Sequence, residues 1–140
     1  YMSEHYGARS WQTGYFIGMS VFTLLYEGKF EEAEPLARQC LEIREQIRPD
    51  DWLTYHARCM LGGALAGRRR FKEAEPLLLE GYEGITQRQA NIPPDFVILI
   101  ENTLRLIVKL YADWEKPEQA EAWRKKLVEM QGAAPETLQP

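Results

Sequence analysis

Apolar side chains recur along this chain at spacings of three, four and seven residues, the spacing of an amphipathic helix. Near the middle of the chain, Tyr55, Leu61 and Leu65 follow this spacing with small residues between them. They therefore fall on neighbouring faces of one helix. The pattern predicts a helix from about Leu53 to Ala66.

A turn signal follows this helix, and a second helical pattern follows the turn. Gly67 begins the run "GRRR" and can take the left-handed conformation in which helices commonly end. A second helix is expected from near Phe71 to about Gln89. Together the two patterns predict a unit made of a helix, a short turn and a helix.

The stretch "YEGKFEEAEPLARQCLE" at residues 26–42 returns 41 positions later as "GRRRFKEAEPLLLEGYE". A period of roughly 20 to 50 residues is typical of stacked supersecondary units. The repeated stretch therefore indicates a repeat fold in the first place, and a chemical site only after that. Applied to the first copy, the same order of helix, turn and helix predicts a helix from about Ser10 to Glu27, a turn at Gly28 and a helix from Phe30 to about Ile47. Between the units, Asp50 or Asp51 is expected to cap the next helix.

A third and weaker copy follows "NIPPD". It predicts a helix from about Asp95 to Asp113, a turn at "WEKPE" and a helix through "QAEAWRKKLVEM". Ala120 stands where the second copy has Ala74, at a spacing of 46 rather than 41, and Pro117 replaces Phe71. Divergence of this kind is common in a terminal repeat.

The residues shared by the copies have a structural explanation. Ala33, Ala74 and Ala120 are expected at helix crossings, where a larger side chain would push the two axes apart. Phe30 and Phe71 are expected to fill the space under each turn. The acidic residues near the start of each second helix are expected to favour the positive end of the helix dipole; they are Glu31, Glu32, Glu34, Glu73 and Glu75.

Composition narrows the possible function classes. The chain has 140 residues, of which 45% are hydrophobic and 27% charged, as expected for one soluble domain. Its net charge of -4 argues against a nucleic-acid partner, because phosphate backbones require a basic surface. The longest apolar run, "FVILI", is far too short for a membrane span. With two cysteines and no signal peptide, a cytoplasmic location is expected.

No residue pattern indicates catalysis or a cofactor. His56 and Cys59 lie three residues apart and could supply two metal ligands, but a structural zinc site requires four. The chain shows no phosphate-binding loop and no cysteine with the histidine and acid of a nucleophilic site. The sequence therefore predicts a protein that is not an enzyme and that uses no metal or cofactor.

The second unit resembles a tetratricopeptide repeat, a helix pair with large and small residues at set positions. Leu61 and Gly62, then Leu65, Phe71 and Ala74, fall where that family has Leu-Gly, a large residue, an aromatic residue and Ala. The first unit departs from this pattern, with "SV" where Leu-Gly is expected. The resemblance implies an all-α fold, a right-handed α-solenoid of three helix pairs.

The period of about 41 residues and the "EAEPL" opening of the second helix resemble the longer repeat variant of kinesin light chains. The segment "DDWLTYHARCMLGGALAGRRRFKEAEPLLLEGYEGITQRQANIPP" is similar to the C-terminal repeat region of large bacterial serine/threonine protein kinases, although no kinase signature is present. A chain that opens on Tyr1 is expected to be part of a longer protein. We expect one repeat domain over residues 1–130, with repeats at about 10–48, 51–90 and 95–130, and a loose tail at 131–140.

The resemblance implies a non-catalytic scaffold, part of a larger bacterial signalling protein, that binds a peptide or protein in a concave groove. In such repeats the first helix of each unit lines this groove. The predicted groove residues are Tyr15, Phe22, Tyr26, His56, Asn102, Arg105 and Lys109. Gly18, Cys59 and Gly63 are expected to line it too, with Gly63 and Ala66 leaving room for a peptide backbone.

Aromatic residues stand at one end of this predicted groove and cationic residues at the other, which suits an extended peptide that ends in a carboxylate. The alternative is a structural role, in which the chain spaces other domains or self-associates as a section of a longer solenoid. An exposed apolar face on the first helix would favour that alternative and a homo-oligomer.

Overall fold

The computed structural model describes residues 2–132 of the chain, with side chains from residue 12 onward. This part contains six α-helices, no strand, and two short 3-10 turns at Gln89–Asn91 and Pro94–Phe96. The helices are α1 (Met2–Tyr26), α2 (Phe30–Ile47), α3 (Trp52–Gly67), α4 (Phe71–Gln87), α5 (Ile98–Asp113) and α6 (Pro117–Gly132). They form three consecutive pairs, and the stack of these pairs is the all-α solenoid that the repeat predicts.

Most predicted helix ends lie within one or two residues of the observed ones. The largest difference is at α1, which begins at Met2 rather than near Ser10. The α5 helix begins at Ile98 because the preceding residues form a 3-10 turn. The α6 helix extends to Gly132, into the segment predicted to be a loose tail, and residues 133–140 of that segment lie outside the described residues.

The turn between the two helices has the same backbone geometry in every unit. Gly28, Arg69 and Glu115 have φ angles of 77°, 65° and 61°, and they stand at the spacings of 41 and 46 found in the sequence. One residue after each, an amide donates to a carbonyl five positions earlier and closes the preceding helix. The left-handed position is therefore Arg69, and the prediction that Gly67 would take it is wrong.

Gly67 has a different role, because it lies against the aromatic ring of Phe30 in the preceding unit. A β-carbon at Gly67 would fall between 2.2 and 2.4 Å from three atoms of that ring. The aromatic residue at the start of α2 therefore packs on the end of α3. The next unit repeats the arrangement, since Phe71 stacks on Trp114 with ring centroids 5.5 Å apart.

The core runs along the whole stack, from Val21 in α1 to Leu127 in α6. Ala33, Ala74 and Ala120 are all buried, as expected for residues at helix crossings. The α3 helix lies in the middle and is buried on nearly every side, which explains its run of small and apolar residues. None of the helices within residues 2–132 is both long and apolar enough to cross a bilayer.

The acidic residues of the repeated motif do more than favour a helix start, as two of them join neighbouring units. Glu34 accepts a hydrogen bond of 2.7 Å from Arg68, and Glu75 accepts one of 2.7 Å from the hydroxyl of Tyr111. Burial alone would raise the pKa of Glu34, but its hydrogen bonds with Arg68 and Arg38 hold that pKa below the usual value.

Candidate interaction surface

Three of the aromatic side chains that the first helix exposes to solvent lie along one face. Tyr15, Phe22 and Tyr26 are 46%, 43% and 88% exposed, and spacings of seven and four residues put them on one face. We call these three residues the aromatic stripe. The segment 12–26 contains no charged residue, so this part of α1 places no charge beside the stripe.

The aromatic stripe stays exposed because a neighbouring side of α1 is the one that packs closely on α2. Gly14 and Gly18 are buried there, and a β-carbon added at Gly18 would lie 3.7 Å from the sulfur of Cys40. The prediction that Gly18 lines the groove is therefore wrong. Its lack of a side chain lets α1 approach its partner helix.

The middle of the predicted groove is filled. Gly63 lies between two leucines, since an added β-carbon would be 3.2 Å from Leu106 of α5 and 3.6 Å from Leu25 of α1. Small residues were expected to leave room here, but side chains of the two flanking helices occupy the space at Gly63. Cys59 is fully buried against α4 and does not line the groove either.

His56 lies inside the protein rather than on a groove surface, with 9% of its area exposed. Burial, and to a smaller extent the positive charge of nearby Arg44, lowers the pKa of His56 to about 4. The imidazole is therefore neutral near pH 7 and too covered to contact a bound peptide. Burial also raises the pKa of Cys59 to about 12, so this thiol is not a nucleophile at neutral pH.

Two cationic side chains stand exposed on α5, and we call Arg105 and Lys109 the cationic pair. Arg105 lies 3.4 Å from Glu101 and Lys109 lies 2.6 Å from Asp113, in each case four residues along the same helix. Asn102 is half-buried on the same helix. Each cation therefore carries a local counter-ion that a partner would have to displace.

One member of the cationic pair lies close to the first unit. The ammonium of Lys109 lies 6.0 Å from the centre of the Phe30 ring, at the start of α2. Phe30 follows Tyr26, the last residue of the aromatic stripe, by four positions across the turn. The two groups of predicted residues therefore border the same turn region, although they belong to helices at opposite ends of the stack.

A cleft at this turn region was not predicted from the sequence. It has a volume of about 490 Å³ and is lined by Gly28, Lys29, Phe30, Glu31, Glu32, Gly67 and Arg68. Turn residues of two different units form it, so no signal local in the sequence marks it. Among the described residues, no three His, Cys, Asp or Glu side chains are grouped closely enough to hold a metal ion.

Comparison with known proteins supports the repeat. A family model of the tetratricopeptide repeat matches residues 21–51, which span the end of α1, the turn and all of α2. No curated protein matches the chain. The match falls on the unit whose sequence departs from the Leu-Gly pattern, so it is independent of the motif found in the second unit.

Proposed function

We propose that this chain is a non-catalytic protein–protein interaction module that binds a peptide or protein segment along the aromatic stripe and the cationic pair. Tetratricopeptide repeats in general mediate protein–protein interactions. The observation that carries the proposal is the exposure of Tyr15, Phe22 and Tyr26 on a helix that also packs against α2.

Exposed aromatic side chains on a rigid helix suit binding for two physical reasons. Each aromatic ring can bury a large apolar area, and clustered apolar surface of this kind commonly marks an interaction site. Because α1 is held by its contacts with α2, little conformational entropy is lost when a partner binds. The aromatic stripe is therefore the source of affinity in this proposal.

The cationic pair would fix the orientation in which a partner segment binds. Its ion pairs with Glu101 and Asp113 are exposed, and pairs of this kind contribute only about 0.3 to 0.5 kcal/mol each. A partner carboxylate can therefore compete for Arg105 and Lys109 at low cost. An extended segment that lays apolar residues on the stripe and directs an acidic end to α5 fits both groups.

A paired peptide titration tests this proposal. The probes are acidic decapeptides containing aromatic residues, each prepared with a free and with an amidated C-terminus. We expect Phe22→Ala to weaken binding of both forms, and Arg105→Ala with Lys109→Ala to weaken binding of the free form about tenfold. Arg124→Ala is the matched control, because Arg124 is also an exposed arginine with a carboxylate partner on its own helix. Equal affinity across all variants would refute the proposed site.

We further propose that the chain belongs to a cytoplasmic bacterial signalling protein. This proposal is supported by the similarity of residues 50–94 to the repeat region of bacterial serine/threonine kinases and by the free thiols of Cys40 and Cys59. Sequencing the parent gene on both sides of this segment tests it. A kinase domain in the same reading frame would support the proposal, and a gene with no signalling domain would refute it.

A further inference from the structure

A cleft between two neighbouring turns occurs twice in the stack, at corresponding positions. The cleft of about 490 Å³ described above is lined by residues 28–32 with part of the next turn, and we call it the first cleft. A second cleft, of about 290 Å³, is lined by residues 69–73 and by Trp114 of the following unit. Because the two segments are 41 positions apart, equivalent parts of the repeat form both clefts, and the clefts differ in their side chains.

The two clefts differ in charge. Residues 28–32 read "GKFEE", with one cation and two carboxylates, whereas residues 69–73 read "RRFKE", with three cations and one carboxylate. The net charge of these five positions therefore changes from -1 to +2. The corresponding segment of the third unit, "EKPEQ", has a net charge of -1 again. Of the three turns, only that of the second unit carries an excess of positive charge, in a chain whose net charge is -4.

Two of the three cations are placed where they oppose folding rather than favour it. Lys72 lies in the first turn of α4, where positive charge opposes the helix dipole, and α2 has Glu31 at the same position. Arg69 has a φ angle of 65°, which costs a residue with a β-carbon more than it costs glycine, and the first unit has Gly28 there. The stability of the repeat therefore does not explain these two residues.

The cations of the second cleft have few carboxylates with which to pair. Arg70 lies 3.9 Å from Glu34, but that carboxylate also forms ion pairs with two other arginines. Arg69 and Lys72 are exposed, and within residues 12–132 neither has a carboxylate within the 4 Å of an ion pair. Most of the positive charge in the second cleft is therefore not neutralised by this part of the chain.

An aromatic stack forms one wall of the second cleft and orders a cation on each side of it. The rings of Phe71 and Trp114 stack with their centroids 5.5 Å apart. Arg69 lies over the Phe71 ring at 5.1 Å, and the ammonium of Lys116 lies 3.7 Å from the centre of the Trp114 ring. A cation held over a ring keeps its charge. Arg69 is therefore positioned in advance for an anionic ligand, which reduces the entropy lost on binding.

We propose that the second cleft binds a phosphorylated serine or threonine side chain of a partner peptide. A phosphate monoester carries a charge of about -1.5 to -2 at pH 7 on one group with three acceptor oxygens, which matches the charge of residues 69–73. Its oxygens can also take paired hydrogen bonds from an arginine.

The small size of the second cleft favours one doubly charged group over an acidic segment. In an extended segment, two carboxylates on the same side are about 7 Å apart, whereas a phosphate concentrates its charge at one point. Three of five consecutive residues supply the cations of the cleft, so its positive charge is concentrated as well. None of these residues belongs to the aromatic stripe or the cationic pair, so the site is separate from the proposed function.

Fluorescence anisotropy with the 140-residue chain tests the ligand. The probe is a labelled peptide with one phosphoserine among glycine, alanine and serine residues. Its C-terminus is amidated, so it offers neither aromatic rings to the aromatic stripe nor a terminal carboxylate to the cationic pair. We expect it to bind at least about tenfold more tightly than the same peptide with unmodified serine.

Three results with these ligands would overturn the proposal. Equal binding of the two peptides would show that the phosphate is not recognised. Equal binding of a peptide with two adjacent glutamates in place of the phosphoserine would show that an acidic segment is the ligand. Displacement of the probe by inorganic phosphate, as effective as displacement by unlabelled phosphopeptide, would show an adventitious ion only.

Substitutions that give the second cleft the residues of the first test the location of the site. Arg69→Gly with Lys72→Glu should weaken binding of the phosphopeptide by about tenfold or more. Glycine suits the positive φ angle and glutamate suits a helix start, so this variant should stay folded, which circular dichroism at the assay temperature verifies. Lys72→Gln, which leaves the turn residue unchanged, should weaken binding about threefold. Unchanged affinity in the folded double variant would overturn the proposal.

Two controls separate this site from other cations of the chain. Lys29→Ala removes an exposed cation from the first cleft, and it should change the affinity by less than about twofold. Arg105→Ala with Lys109→Ala should also leave the affinity for this probe unchanged, because the cationic pair is not part of the second cleft. A loss of binding in either control as large as that in the Arg69 and Lys72 variant would place the phosphate elsewhere and overturn the proposal.

Discussion

The carboxylate of Glu34 accepts a hydrogen bond of 2.7 Å from the guanidinium of Arg68, which belongs to the next unit of the stack. Glu34 is also 3.1 Å from Arg38, and its side chain is only 10% exposed. A residue of the repeated motif therefore holds two units together. The short distance and the burial make this contact stronger than an ordinary surface ion pair.

Replacing Glu34 by Gln should lower the free energy of unfolding by about 1 to 3 kcal/mol, because the charge-assisted bond is lost in a partly buried site. Urea unfolding followed by circular dichroism measures the change. Glu31→Gln is the control, since Glu31 is exposed in the same helical turn, and it should change stability by less than about 0.5 kcal/mol. Equal effects of the two substitutions would show that Glu34 acts only on the helix dipole.

Gly67→Ala should destabilise the protein by about 1 to 3 kcal/mol, because the added methyl group overlaps the Phe30 ring. Gly132→Ala is the control, as a β-carbon there meets no atom within 4 Å. In the background of Phe30→Ala, which removes the ring, Gly67→Ala should cost much less. If the two changes simply add, the close contact between these residues is not the cause.

His56 should make the protein less stable in mild acid. Its pKa is about 4 in the folded protein and about 6.5 when unfolded, so between these values the unfolded chain binds more protons. Stability is therefore full above about pH 6.5 and falls as the pH drops toward 4, by roughly 3 kcal/mol at most. Urea midpoints measured across this range test the effect.

His56→Asn is the matched variant for the acid effect, because Asn102 occupies the corresponding position in the third unit. It removes the titrating group and should flatten the loss of stability between pH 6.5 and 4. Glu34 also loses stabilisation in acid, as its pKa is lowered in the folded protein, so part of the slope should persist. Identical slopes for wild type and variant would refute the role of His56.

Both cysteines should resist thiol reagents while the protein is folded. Cys40 and Cys59 are fully buried, and the raised pKa of Cys59 keeps its thiol protonated. A colorimetric thiol assay at pH 8 should detect two reactive thiols in denaturant and almost none without it. Rapid labelling of Cys59 in the native protein would show that α3 opens readily.

The helix pairs could be predicted from the sequence because the same contacts recur at fixed spacing. Ala33, Ala74 and Ala120 must each be small where two helices cross, so their repetition reveals the crossings. The left-handed turn residues repeat at the same two intervals, but only one is a glycine. Arg69 and Glu115 therefore carry no sequence signal for the conformation that they adopt.

The contacts between units could not be predicted in the same way. Gly67 looked like the left-handed residue of the turn because its neighbour in space, Phe30, is 37 positions away in the chain. His56 looked like a groove residue because helical spacing gives the face of a side chain and not what covers that face. Stacking of α3 on the first unit buries it beside Arg44. The exposure of Tyr15, Phe22 and Tyr26 likewise depends on which units flank α1.

The central claim is that residues shared by the units hold the stack together, while the unshared residues on α1 and α5 bind a partner. Backbone amide shifts measured by NMR during titration with a free-carboxylate acidic decapeptide test it most directly. The account predicts shifts concentrated at Phe22, Tyr26, Arg105 and Lys109, with little change at Ala33, Ala74 or along α6. Shifts confined to α6, or none at saturating peptide, would contradict it.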